Sequence, residues 1–306
     1  MTMKKRYPVC LLATACVPWN NDLTFAEDLF RREVQSLLKN LTKHVYIFGT
    51  AGEGYAVTER QFDEICRVFR DETNKPGVTG MVGVINLSLG TMIERIGRAR
   101  DMGFRFFQIS LPSWGALADN EMHRFFKEVC GRFPDCGFLH YNLMRTKRLV
   151  TPDEYAVLAK ENPNLVATKN STGEMDRVLG LVKKVPQLTH FLTETGYAYG
   201  CQVGQCGLLI SMAATNFASG RKYYEAGQRR DLKTLIPWQE ELTNVTNEMV
   251  ALGLPEAHID GAYDKLFCKM HDPAFPLRML PPYNGISDAT FKKIVAMIRK
   301  KYPRWI

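Results

Sequence analysis

Short apolar runs alternate along most of this 306-residue chain with stretches whose apolar positions recur every three or four residues. The runs at 9–16, 44–50, 78–85, 105–111, 137–142, 165–170, 188–193 and 207–213 read as buried strands. Between them, 26–38, 59–70, 91–102, 120–131, 152–160 and 175–184 carry the helical period. Capping-box signatures pair Thr24 with Glu27, Thr58 with Gln61, Thr151 with Glu154 and Ser171 with Glu174. Pro152 stands where a first helical residue tolerates proline. Strands alternating with helices call for parallel pairing through right-handed crossovers, and eight of them fit a (β/α)8 TIM barrel better than an open sheet.

The strand pattern stops near residue 222. Beyond it, Pro237, Pro255, Pro273, Pro276, Pro281 and Pro282 separate apolar-periodic stretches that read as an appended C-terminal helical region. The expected division is therefore a barrel over 1–222 and a helical extension over 223–306. Phe291, Ile294, Val295 and Ile298 fall at i, i+3, i+4 and i+7, which predicts an amphipathic helix with a solvated basic face.

Composition adds limits rather than identity. At 45% hydrophobic and 24% charged, the chain can bury a large core. Its 40 Lys+Arg against 32 Asp+Glu leave a net charge of +8, which suits anionic small molecules. Without a localised basic and aromatic patch, that charge does not point to nucleic acid. No apolar stretch approaches the length of a bilayer span. Lys4-Lys5-Arg6 before Val9–Ala15 looks superficially like an export signal, but Pro8 interrupts it and Val9–Ala15 reads as a core strand. A cytoplasmic location is expected. Eight cysteines without a C-x-x-C spacing predict free buried thiols. Six histidines without H-x-H or H-x-x-x-H grouping offer no metal site.

The chemistry centres on Lys169, at the end of the run Leu165-Val166-Ala167-Thr168-Lys169-Asn170 and before Ser171-Thr172-Gly173-Glu174. In a barrel, reactive groups belong at the C-terminal ends of strands. Burial disfavours an ammonium, and the neutral amine is the form that attacks a carbonyl to make a Schiff base. The preceding strand ends in His140-Tyr141-Asn142. Adjacent strands lie ~4.8 Å apart, so a Tyr141 phenol at similar depth reaches the Lys169 amine. His140 faces the other side of its strand. The loop Gly49-Thr50-Ala51-Gly52-Glu53-Gly54 lacks the P-loop lysine and the dinucleotide glycine spacing. It presents backbone N–H groups beside a hydroxyl, a cradle for a carboxylate, with Glu53 available to tie the loop down.

These three segments together resemble the dihydrodipicolinate synthase / N-acetylneuraminate lyase family of Schiff-base-forming barrels. Gly49-Thr50-Ala51-Gly52-Glu53 matches the family's G-[ST]-[TX]-G-E, Tyr141-Asn142 its Y-N, and Lys169 with Thr172-Gly173 its K-x-x-[TS]-G. The resemblance implies that Lys169 attacks the ketone of pyruvate or a pyruvate-ended 2-oxo acid. The resulting iminium is an electron sink for carbon–carbon cleavage, condensation or dehydration. It implies Tyr141 as proton shuttle, hydrogen-bonded to Thr50, and the N–H groups of Thr50 and Ala51 as carboxylate donors. Gly49, Arg145 and Ile210 complete the implied substrate site. The resemblance further implies a homotetramer and no metal or organic cofactor; a metal-dependent aldolase on the same fold would need the clustered ligands that the histidine spacing lacks.

Several positions depart from the family pattern. Ala51 replaces a hydroxyl, Pro112-Ser113-Trp114 stands where Pro-Tyr-Tyr is common, and Arg145 follows Tyr141 by four residues rather than five. Thr193-Glu194-Thr195-Gly196 replaces a G-D-D-like run. These departures turn the expectation away from lysine biosynthesis and sialic acid cleavage. They favour a catabolic aldolase or dehydratase acting on a sugar-acid or aromatic 2-oxo acid. The alternative is a homologue that binds a 2-oxo acid without efficient turnover.

Overall fold

The computed structural model describes residues 6–306, so Lys4 and Lys5 of the signal-like segment lie outside the described residues. Eight short parallel strands close in sequence order into a barrel: β1 (Leu11–Thr14), β2 (His44–Ile47), β3 (Thr79–Gly83), β4 (Phe106–Ile109), β5 (Gly137–Asn142), β6 (Leu165–Asn170), β7 (Thr189–Leu192) and β8 (Gly207–Leu209). The helices that follow each strand in turn are α1 (Glu27–Asn40), α2 (Glu59–Thr73), α3 (Leu89–Asp101), α4 (Asp119–Arg132), α5 (Pro152–Glu161), α6 (Met175–Lys184), α7 (Glu194–Val203) and α8 (Phe217–Gln228). A C-terminal helical region adds α9 (Leu232–Gly253), α10 (Asp260–His271) and α11 (Asp288–Lys301).

The chain divides into two compact units: the described residues up to Leu12 with Met81–Leu209, and Ala13–Gly80 with Ile210–Ile306. In the first, every residue of β5 and β6 is buried, as expected of parallel strands covered on both faces. Tyr7 lies edge-on between Phe106 and Phe191, with ring centroids 5.0 and 5.6 Å away. In the second, Phe30 of α1 meets Phe69 of α2, while Phe48 stacks on Phe62 at 5.0 Å. Ile294 and Ile298 of α11 are buried and Lys292, Lys293, Arg299 and Lys300 are exposed, the amphipathic division read from the sequence.

Two of the four capping boxes form. Thr58 Oγ1 accepts from the Gln61 N–H while Gln61 accepts from the Thr58 N–H, and Thr151 and Glu154 do the same ahead of Pro152. The other two expectations are overturned. Helix α1 starts after Ala26, because Asp22 captures both the Thr24 N–H (3.0 Å) and its hydroxyl (2.6 Å). Helix α6 starts after Glu174, whose N–H donates to Thr172 Oγ1 at 3.0 Å, so Ser171 is not the cap. Pro237 also sits inside α9 rather than at a boundary. The expected strand 207–213 ends at Leu209, and Met212–Thr215 forms a 3₁₀ turn instead. Helix α7 escaped the sequence reading because glycines dilute its period. A Cβ on Gly200 would lie 2.6 Å from Leu192 Cδ1, so glycine is what lets α7 lie close to β7.

Candidate active site

The geometry starts with an irregularity between β5 and β6. Phe138 pairs with Leu165 but Leu139 pairs with Ala167, so Val166 is passed over. A bulge of this kind resets which side chains stand opposite one another. Beyond it, His140 faces Thr168, Tyr141 faces Lys169 and Asn142 faces Asn170. Tyr141 and Lys169 are 4% and 5% exposed, and the Lys169 Nζ sits 3.7 Å from the centroid of the Tyr141 ring. An amine against the face of a phenol, at the C-terminal ends of neighbouring strands, is thus brought out of bulk water. His140 lies on the other face of β5, as alternation requires. Its Nδ1 is 2.6 Å from the Tyr155 hydroxyl and its ring meets Phe126 edge-on. Burial pushes His140 down to about 3, which keeps it neutral.

Behind the lysine and tyrosine runs a chain of buried side chains. Asn142 Nδ2 donates to Asn170 Oδ1 at 3.1 Å, and Asn170 Nδ2 donates to Thr168 Oγ1 at 2.8 Å. Thr168 Oγ1 is 2.8 Å from His190 Nδ1, and His190 Nε2 is 2.9 Å from the Val185 carbonyl. Asn142 also exchanges two hydrogen bonds with the Val150 backbone, both 2.9 Å. Sequence reading passed over Thr168 and His190. Their only signal was polar type inside apolar strands.

Arg145 lies in a 3₁₀ turn, Met144–Thr146, one step past β5, and is exposed. Thr146 Oγ1 secures that turn by donating to the Leu143 and Arg148 carbonyls (2.8 and 2.7 Å). Lys147, at φ 58°, donates to the Trp114 carbonyl at 2.8 Å, which ties the Ser113-Trp114 loop to the turn. Trp114 itself is 83% exposed.

In the other unit, the loop after β2 is held tightly. Thr50 and Ala51 are buried, and Phe48 and Glu53 adopt left-handed φ of 60° and 54°. A Cβ on Gly52 would lie 2.5 Å from the Phe48 nitrogen, and one on Gly54 2.4 Å from the Phe48 oxygen. Gly49 has the Tyr46 ring 2.7 Å from where its Cβ would be. Glu53 is the anchor: it accepts from Trp19 Nε1 (2.8 Å) and the Leu280 N–H (2.6 Å), and pairs with Lys265 Nζ at 2.6 Å. Both ends of that ion pair are fully buried, and Lys265 also donates to the Arg278 carbonyl. Gly261, in the first turn of α10, lets that helix press on the loop, since a Cβ there would lie 2.9 Å from the Thr50 oxygen. Glu53 thus ties the loop down as expected, whereas Lys265 and Trp19 were not anticipated. A lysine three residues after Ala262 and one before Leu266, on the helix's apolar face, was the available signal.

Ile210 follows β8 and turns toward α8; its Cδ1 is 2.6 Å from where a Gly220 Cβ would be. It lines a cavity of about 20 Å3 with Cys16, Glu33 and Cys268. Burial pushes Glu33 up to about 7, against a weaker opposing contact from the Cys268 thiol at 3.4 Å. All eight cysteines are free, seven of them buried. Among the described residues, no group of three or more His, Cys, Asp or Glu side chains could hold a metal ion, and no helix is long and apolar enough to cross a membrane.

The class that these features define is a closed parallel (β/α)8 barrel with a buried lysine ending its sixth strand against a tyrosine ending its fifth. The model of the Dihydrodipicolinate synthetase family matches residues 9–259, and the chain belongs to that family. Among curated relatives, 4-hydroxy-tetrahydrodipicolinate synthase of Thermosynechococcus vestitus is 24% identical over 58% of this chain and 59% of its own length. A probable 5-dehydro-4-deoxyglucarate dehydratase of Bradyrhizobium sp. is 24% identical over 74% of this chain and 72% of its own. Among solved structures, the prophage protein YagE of E. coli K12 in complex with pyruvate superposes with a TM-score of 0.85 at 16% identity, covering 95% of this chain and 98% of its own. CdNal of Clostridium difficile in complex with mannosamine gives 0.82 at 15% identity, over 95% and 98%. At these identities the structural likeness speaks for the fold alone.

Proposed function

We propose that the chain is a Schiff-base-forming lyase, of aldolase or dehydratase type, acting on pyruvate or a pyruvate-ended 2-oxo acid. The observation that carries this reading is the Lys169 Nζ held 3.7 Å over the ring of a buried Tyr141. The Lys169 amine adds to the C2 ketone, and Tyr141 passes a proton to the carbinolamine oxygen, which leaves as water. The iminium then accepts the electron pair released when a bond to C3 breaks. Loss of a C3 proton, or cleavage of a C3 carbon bond, gives the enamine. Thr50 is assigned the hydroxyl of the relay, with Tyr141. The N–H groups of Thr50 and Ala51 take the 2-oxo acid carboxylate, with Gly49 shaping the turn. Arg145 and Ile210 are assigned to the rest of the substrate.

A sugar-acid or aromatic substrate is favoured over those of lysine biosynthesis. The Pro112-Ser113-Trp114 segment and Ala51 support that choice, as does the likeness to a probable 5-dehydro-4-deoxyglucarate dehydratase. A homotetramer is the proposed working form, from the family resemblance, and a cytoplasmic location is proposed because Pro8 interrupts the signal-like run and Val9–Ala15 reads as a core strand. The same two departures support a second reading, a protein that binds a 2-oxo acid without efficient turnover.

Borohydride reduction with pyruvate, followed by intact mass and peptide mapping, tests the first reading. A pyruvyl adduct on Lys169 is expected. An unmodified, folded protein across a panel of 2-oxo acids would refute it. An adduct without turnover on that panel would favour the second reading.

A further inference from the structure

The bulge at Val166 leaves a problem for the strand pair that carries Tyr141 and Lys169. Side chains alternate with a period of two, so a slip of one residue past the bulge would turn Lys169 to the outer face. Backbone ladder bonds do not discriminate one register from the next, because every residue offers the same N–H and C=O. Side chains can. Two hydrogen bonds of the buried chain join residues that stand directly opposite: Asn142 with Asn170 across β5 and β6, and Thr168 with His190 across β6 and β7. The Asn170–Thr168 bond, 2.8 Å along β6, links these two rungs into one run.

Resting on the proposed function, we infer that Thr168 and His190, acting through Asn170 and Asn142, are positioning residues that fix the register placing the Lys169 amine over Tyr141.

The direction of each bond follows from its ends. The Val185 carbonyl only accepts, so His190 Nε2 carries a proton and donates to it. Burial pushes His190 down to about 4, so the ring is neutral and its Nδ1 accepts from the Thr168 hydroxyl. The Thr168 oxygen then accepts from Asn170 Nδ2, which turns Asn170 Oδ1 toward Asn142 Nδ2. Asn142 is anchored at its far end by the Val150 N–H and C=O. A single tautomer therefore orients the run from β7 to β5. One slipped register would leave these amide and hydroxyl groups buried without partners, which the structure resists. The run touches no substrate; it acts through Lys169, its chain neighbour on both sides.

The test measures the rate of borohydride-trapped adduct formation at saturating pyruvate, with circular dichroism as the check on folding. Thr168→Val keeps the shape and removes the hydroxyl; it is expected to slow trapping ~10- to 100-fold, the effect of misplacing a reacting group. Thr168→Ser keeps the hydroxyl and is expected to restore the rate to within a few-fold. An unchanged rate in folded Thr168→Val overturns the inference, and so does a Thr168→Ser protein as slow as Thr168→Val. If Thr168→Val fails to fold, Asn170→Ala breaks the same run, and a wild-type rate in that variant overturns the inference. Absence of any adduct in wild-type protein is a failure of the proposed function instead. A crystal structure of Thr168→Val then decides the matter: an amine still 3.7 Å over the Tyr141 ring overturns the positioning role.

Discussion

Lys169 and Tyr141 are placed by strand alternation, so their roles separate cleanly on mutation. Lys169→Ala is expected to abolish the borohydride-trapped adduct while the circular dichroism spectrum persists, since the side chain ends at the mouth of the strand. Tyr141→Phe keeps the ring under the amine and removes the proton donor; turnover and adduct formation are expected to fall about 10²- to 10⁴-fold. Equal rates for the wild type and Tyr141→Phe would sink the relay assignment. The sequence disclosed these two residues because one apolar period and one polar interruption mark each strand end. It did not disclose Thr168 and His190, which meet only once β6 and β7 pair, 22 residues apart in the chain, nor that Thr172 would displace Ser171 at the start of α6.

Elements were legible where one face alone is buried. α2, α5 and α11 follow their apolar stripes, whereas α7, with buried Gly196, Tyr197, Ala198, Gly200 and Cys201, shows no clean stripe to read. The glycine loop and α10 meet through Glu53 and Lys265, a contact of high sequence separation that no local pattern signals. Breaking it leaves one uncompensated charge in a dry site. Lys265→Met is therefore expected to cost about 3–5 kcal/mol in urea denaturation. Adding Glu53→Gln to that variant should recover part of the loss, because the stranded carboxylate is then neutral. A loss under about 1 kcal/mol in the single variant would mean that the indole and backbone donors to Glu53 suffice.

At the scale of the whole molecule, buried titratable groups of opposite sense set the response to pH. His140 and His190 are held at about 3 and about 4, below their ordinary 6.5, so the unfolded chain takes up their protons first. Their contribution to stability is present above about 6.5 and is lost as the pH falls toward 3. Glu33 is raised from 4.5 to about 7, so its contribution is full below 4.5 and is lost as the pH rises through 7. Between 4.5 and 6.5 the two effects oppose each other. Glu33→Gln should therefore steepen the rise of stability with pH in that window and remove the decline toward 7. Urea midpoints taken across this range check it; parallel curves for the two proteins would contradict the raised carboxyl. That Glu33 and Cys268 share a cavity lies beyond sequence patterning, since 235 residues separate them.

The bond from Trp19 to Glu53 makes the glycine loop visible to light. Trp19 is fully buried with its indole N–H on the loop's carboxylate, whereas Trp114 is 83% exposed. A soluble quencher that reaches Trp114 leaves the emission of Trp19 largely intact, at the short wavelengths of an indole out of water. Trp305 is equally buried, so in a Trp305→Phe protein any ligand that loosens or tightens the loop changes that residual signal. The loop's response to a 2-oxo acid can thus be followed in a cuvette, without label, on the timescale of mixing.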